Sequence, residues 1–538
     1  MLNRAIKRFW DDHRGYVIAL TLIAMPLLLG FSLMVIDVGR SANLHTDLQN
    51  AVDAMALAGA RELDGRDDAI ERAQEAIEKL ANTAAFGEGG EGMSLGTYIT
   101  VSYDAADDDS STVTVRFLNG IPGDGTFEGD DDDPITQAMV TTDSNEAGYA
   151  WVAAKEQAMQ TIFPLPVGLN RDTINVSADA VAAYRVSACD VTPIYICNPY
   201  ENPGGGNAEA AAEALHTNFA AGNLYGRQIE LHNNNNVTAT AGPGNFGFLE
   251  TLGKGADALA EALALGKPGI CYKQDDLTTE PGEMRGKVEH GTNTRFGLYG
   301  ADYKNVDGNW HYRPAPNVRM GQTQDNKACS TYTQAANAYD AVPLGYGTDM
   351  EVIPGGGGRI SKSNNWNLNL YWDISHSGQK PSPLKSNPNY TPPLAPVAAI
   401  TEYSSSYPGG VTPSGAQPSA FDVYNYEIGN PTLLAHMAPN GEKGSPQCHK
   451  GYNLADYPDS TYGNRREIFA AIVNCADQGL KGRTPGVEAV AFGRMFLTKP
   501  VVTNGSDSHM TLELVDITGK GGRGTLDEFL REEAELVR

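Results

Sequence analysis

The chain's thiols are the first residues to weigh for chemistry. Cys189, Cys197, Cys271, Cys329, Cys448 and Cys475 all lie in the C-terminal two thirds. An even set outside the cytoplasm forms disulfides, and six thiols allow about fifteen connectivities, among which sequence does not choose. Three bridges, or two with a free pair, are expected. Zinc is the rival, but a structural zinc site shows a C-x₂₋₄-C pair, and none is present. The adjacent Cys448 and His449 suit chelation poorly.

Other patterns have weaker claims. Gly242-Pro243-Gly244-Asn245-Phe246-Gly247 fits G-x-G-x-x-G, yet the dinucleotide fingerprint needs an acidic residue about 20 positions on, and Lys267 stands there. The segment reads as a turn. Gly355–Gly358 lacks a following Gly-Lys-Ser/Thr, so it is no phosphate loop. Asp373-Ile374-Ser375-His376-Ser377 spells D-x-S-x-S, but the Pro/Ser/Asn-rich stretch after it cannot supply the helix such an ion site needs. The acidic run 124–133 offers carboxylates for calcium without EF-hand spacing, and it reads as a solvated loop. The ten histidines form no H-E-x-x-H, and no G-x-S-x-G elbow occurs. An exported hydrolase with a dispersed triad is therefore the alternative function rather than the first.

These residues must be carried by elements that the rest of the chain defines. Its 538 residues exceed one ordinary domain, and a net charge of −26 argues against nucleic acid as a partner. Residues 15–36 carry no charge and match the roughly 20 residues a helix needs to cross a bilayer. Arg4, Lys7, Arg8 and Arg14 precede this run, which sets residues 1–14 as a cytoplasmic basic tail and the bulk of the chain outside. A cleaved signal peptide is the rival, but its apolar region is shorter, and Asp37-Val38-Gly39-Arg40 makes a poor cleavage site.

Beyond the span, Leu44, Leu48, Ala51, Val52, Met55, Ala58 and Ala60 recur at helical spacing. Ile70, Ala73, Ile77, Leu80, Ala81 and Ala84 do the same in a second stretch. Residues 37–86 thus read either as two core helices or as a stem that packs on other membrane-anchored subunits. Residues 87–185 read as a small α+β module, with strands near Thr97–Tyr103 and Thr112–Phe117, a helix over Tyr149–Ile162 and a strand over Ile174–Tyr184. Residues 186–538 alternate strands and helices, which points to an α/β domain with long loops. Strands are expected near Ala188–Pro199, Gln228–Leu231, Glu467–Asn474, Val487–Leu497 and Thr511–Ile517, with helices over Asn207–Ala221, Phe246–Leu265 and the charged tail Thr525–Val537. Near-continuous apolar strands such as Glu467–Asn474 suggest a parallel sheet.

Taken together, Arg14-Gly15, the apolar span, Asp37-Val38-Gly39-Arg40, Ala51-Val52-Asp53-Ala54 and Ala58-Gly59-Ala60 resemble the TadG-like N-terminal segment. Proteins of the tight-adherence (Tad, or Flp) pilus machinery, a type IVb system of bacteria, carry that segment. The resemblance implies a non-enzymatic, cofactor-free inner-membrane component with its bulk in the periplasm. It also implies other pilus-assembly proteins as partners. Related pilins place a Glu five residues after a processing-site Gly. Here Gly15 is followed at that position by Leu20, which favours a permanent anchor over a polymerised subunit. Many such proteins place a von Willebrand factor A-like domain after the anchor. Because Cys197-Asn198-Pro199 ends the corresponding strand, the resemblance implies a degenerate version without its metal.

Overall fold

The computed structural model describes residues 13–81, 100–103, 111–122, 133–160, 173–233, 240–265, 269–322, 329–334, 341–363, 365–376, 418–429, 431–434, 448–451, 465–504 and 507–538. The chain divides into two compact units, Met1–Tyr184 with Glu533–Arg538, and Arg185–Glu532.

The first unit is built on one long helix, α1, His13–Ala60. At 1.5 Å per residue it is about 70 Å long, more than twice a hydrocarbon core. Its N-terminal half is apolar around the whole circumference, and Pro26 lies within it. Its C-terminal half is one-sided, with Leu44, Leu48, Ala51, Val52, Met55, Ala56 and Ala60 buried. A short turn leads into α2, Ala69–Ala81, whose Ala69, Ala73, Ile77 and Ala81 are buried. Arg72 ties that turn down through Glu62 (2.7 Å), Asp64 (2.5 Å) and Asp68 (3.2 Å).

The helices pack on a sheet ordered β1, Val101–Ser102; β2, Val113–Leu118; β3, Tyr149–Gln160; β4, Thr173–Cys189; and β16, Leu530–Leu536. The strands β2, β3 and β4 run antiparallel in succession. Their inward residues, Val113, Val115, Ala150, Val152, Ala154, Ala178, Ala180 and Ala182, share one core with α1 and α2.

Two expectations fail here for one physical reason. Residues 149–160 are rich in Ala, Lys, Glu and Gln, good helix formers, yet they form β3. The tail expected as a helix forms β16, whose unit-one end is held where the Val537 N–H donates to Val181 O (2.9 Å) and the Val181 N–H to Arg538 O (2.8 Å). In both segments, pairing with a partner strand overrides local propensity.

The second unit holds the other sheet. Its strands are β5, Ile194–Cys197; β6, Gln228–Asn233; β7, Asn245–Leu249; β9, Thr279–Glu280; β10, Met350–Val352; β11, Arg359–Ser361; β12, Glu467–Val473; β13, Ala489–Leu497; β14, Val502–Asn504; and β15, Asp507–Ile517. The order β6-β15-β13-β12-β5-β7 closes on itself because β7 also pairs with β6. In this ring β5–β12 and β6–β7 are parallel. The other four pairings are antiparallel. A mostly antiparallel, closed sheet departs from the open parallel sheet of the A-domain-like expectation. Glu467–Val473 is buried on both faces, as expected, with β5 as a parallel neighbour on one side and β13 as an antiparallel one on the other.

The helix α3, Ala208–Ala220, packs Leu215 and Phe219 into the ring's core, and α4, Gly255–Leu265, adds Leu259 and Leu263. The long helix expected over Phe246–Leu265 is instead β7 followed by α4, because Asn245–Leu249 is fully buried between β5 and β6. On another face, α6, Leu368–His376, and α7, Ala420–Gly429, pack Tyr371, Phe421 and Tyr424 against Phe496 and Val515.

Candidate functional site

The segment with the clearest functional character is α1. Along its first half the described large side chains are exposed: Leu22 is 69% exposed, Ile23 74% and Val35 69%. It is the one helix among the described residues that is long and apolar enough to cross a membrane. A soluble protein does not leave such a surface in water without a use.

The quoted family residues fall into distinct groups along this helix. Arg14 and Gly15 lie in its first turn. Asp37 and Arg40 form an ion pair one turn apart at the outer end of the apolar run, Arg40 Nη1 to Asp37 Oδ1 at 3.2 Å, with Asp37 buried. Gly39, between them, has open space where a side chain would stand. Ala51 and Ala60 are buried in the unit core, and Ala54 and Ala58 flank it half-buried. Asp53 accepts a hydrogen bond from Gln49 Nε2 (2.7 Å), and the same amide reaches Asp179 O on β4 (3.0 Å). Gly59 lies where α1 meets α2, and a Cβ there would stand 2.6 Å from Ile77 Cδ1. The apolar stripe of residues 44–60 is therefore packed inside its own unit.

The six cysteines pair as Cys189–Cys271, Cys197–Cys475 and Cys329–Cys448, all within the second unit. The Cys197–Cys475 bridge ties the end of β5 to the segment just after β12, with Cα atoms 5.3 Å apart and a sequence separation of 278. The sulfurs of this bridge and the Glu201 carboxylate lie within 4.8 Å of one another. Sulfurs in a disulfide have no thiolate to offer a metal, so this is no metal site as it stands. Glu201 is buried, accepts from the Ala476 N–H (2.9 Å), and has its pKa pushed up to about 7 by burial.

Further buried ionic groups, which no sequence pattern announced, hold the second unit together. Arg466 donates to the carbonyls of Leu497 (2.9 Å) and Thr498 (2.7 Å) and packs against the rings of Phe296, Tyr424 and Phe496. Glu513 accepts from the Ala420 and Phe421 N–H groups at the start of α7 (2.8 and 3.0 Å), and burial pushes its pKa up to about 8. Glu427 pairs with Arg319 (2.9 Å) and Tyr371. Each is a structural closure of buried donors and acceptors.

The motif-like segments find structural uses. Asn245 within Gly242–Gly247 accepts from the Gly242 N–H (3.0 Å) and donates to Gly356 O (2.7 Å). Gly244, at φ +78°, lies so close to Gly358 that a Cβ would stand 2.9 Å from the Gly358 Cα. The two glycine-rich runs thus pack backbone to backbone, which leaves no cradle for a pyrophosphate. Asp373 belongs to α6 rather than to a strand end. The acidic run 124–133 lies outside the described residues except for Asp133, whose carbonyl accepts from Arg538 Nη1 (2.6 Å). His290 and Asp302 form a dyad, Nδ1 to Oδ2 at 2.9 Å, and among the described residues no thiol is free to join it.

Compared with known proteins, residues 15–62 match the model of the family described as Tad, putative Flp pilus-assembly TadE/G-like. That is the N-terminal Tad-type segment expected of a TadG-like protein. No curated protein and no solved structure matches the chain.

Proposed function

We propose that this protein is a non-enzymatic component of a Tad/Flp pilus assembly system, held in the inner membrane by α1 with its N-terminus in the cytoplasm and its two folded units in the periplasm. The reading rests on one observation. The helix His13–Ala60 joins an apolar half, whose described large side chains are exposed, to a half locked into a folded unit, and the family match spans both. A helix continuous from bilayer to core transmits position without a flexible hinge, which suits an anchor or scaffold better than a released subunit.

The orientation is supported by the basic residues that precede the span. The periplasmic placement is supported by the disulfides, which persist in oxidising compartments. Partners are then other pilus-assembly proteins, and nucleic acid is disfavoured by the acidic charge. Deleting the gene and restoring it in trans tests the role. Surface pili and adhesion should be lost and then recovered. Unchanged piliation, together with a hydrolytic activity in the purified protein, would favour the exported-hydrolase alternative.

A further inference from the structure

The second unit carries a pair of histidines that the anchor role does not use. His232 on β6 and His509 on β15 are direct cross-strand partners in an antiparallel ladder. The His232 N–H donates to Gly244 O (3.0 Å), and its carbonyl accepts from Asn245 Nδ2 (3.2 Å), so both backbone groups point toward β7. The His232–His509 pair is therefore a non-hydrogen-bonded one, the class in which facing side chains come closest. Their ring centres are 5.3 Å apart and tilted by 52°.

This spacing has a chemical meaning. With metal–nitrogen bonds near 2.0–2.1 Å, two imidazoles on one tetrahedral ion hold their ring centres about 5 Å apart. The pair also faces outward. Ile229, Leu231, Met510 and Leu512, which alternate with it, point into the ring's core. Farther along the same face, Thr511 and Glu513 are buried, whereas both histidines are only partly buried. Glu230, two residues before His232 on that face, has its carboxylate 3.9 Å from Lys499 Nζ.

The geometry points to a binding site for a borderline transition-metal dication, Zn²⁺ or Cu²⁺, with His232 and His509 as its protein nitrogen ligands and water completing the shell. Imidazole selects these ions over the hard, oxygen-seeking Ca²⁺ and Mg²⁺. The site belongs to the second unit and does not depend on the pilus reading.

The test uses the full-length chain in detergent without a polyhistidine tag. Zn²⁺ is titrated by calorimetry, and the Cu²⁺ form is read by electron paramagnetic resonance. The wild type should bind one equivalent, with two-imidazole coordination in the copper spectrum. His509→Gln and His232→Gln should each weaken Zn²⁺ binding at least tenfold, and the copper spectrum should drop to one nitrogen or vanish. Ca²⁺ should give no heat. Should His232→Gln lose its fold, His509→Gln at its partly buried position decides alone. Wild-type protein that binds neither metal overturns the assignment, and so does binding that survives His509→Gln unchanged.

Discussion

Gly59 and Ile77 interlock where α1 crosses α2: a Cβ on Gly59 would stand 2.6 Å from Ile77 Cδ1 and 3.4 Å from the Ala150 Cβ. A family-motif glycine thus lets α1 and α2 approach closely. Gly59→Ala gains roughly 1 kcal/mol of helix propensity, but overpacking against Ile77 costs about 1–3 kcal/mol. The expected outcome is a net loss in thermal unfolding of the detergent-solubilised protein. In an Ile77→Ala background the same change should stabilise, because the obstructing methyl is gone. Equal effects in both backgrounds would contradict the interlock.

The disulfide pattern is open to direct mapping. Non-reducing peptide mass spectrometry should recover Cys189–Cys271, Cys197–Cys475 and Cys329–Cys448, with no free thiol. Replacing Cys197 and Cys475 together by Ala should cost about 2–5 kcal/mol, since the bridge closes a very long loop of the unfolded chain. A crossed connectivity would refute the ring as described, because Cys197 and Cys475 meet only if β5 pairs with β12.

Glu201 gives the second unit a pH dependence of defined sign. Burial raises its pKa from 4.5 to about 7. Between those values the folded state binds more protons than the unfolded one, so stability is complete below 4.5 and declines as pH rises through 7. Glu513, also raised by burial, adds a loss of the same sign up to about 8. Melting temperature should fall from pH 5 to pH 8, and Glu201→Gln should flatten the lower part of that slope. A wild-type profile that rises over this window would contradict the buried placement of both groups.

Much of this organisation was legible in the sequence, and the rest was hidden for physical reasons. The apolar run 15–36 and the helical spacing of Leu44, Leu48, Val52 and Met55 identified α1, because helix periodicity is local. The even cysteine count signalled bridges but not their partners, which are fixed by strands as far apart as β5 and β12. Residues 149–160 looked helical because their Ala and Glu content is local information, whereas their pairing with β2 and β4 is not. Ring closure was invisible too, since it depends on β6 meeting β7 at His232–Asn245. The burial of Arg466 and Glu513 among apolar neighbours has no sequence signature, as charged residues are read as surface by default. The histidine pair was missed because its members are 277 residues apart and no local motif marks them.

In the proposed function, α1 is the anchor through which the protein serves pilus assembly. Leu28 and Leu29, 64% and 54% exposed, lie within the apolar half and outside the unit core. Arg at the centre of a span costs roughly 2.5–3.5 kcal/mol per residue on insertion scales. The most direct measurement replaces the native gene with the Leu28→Arg, Leu29→Arg variant, then follows alkaline-resistant membrane association and surface pili in the same cells. The account predicts loss of both. Normal piliation by cells whose variant protein no longer associates with the membrane would contradict it.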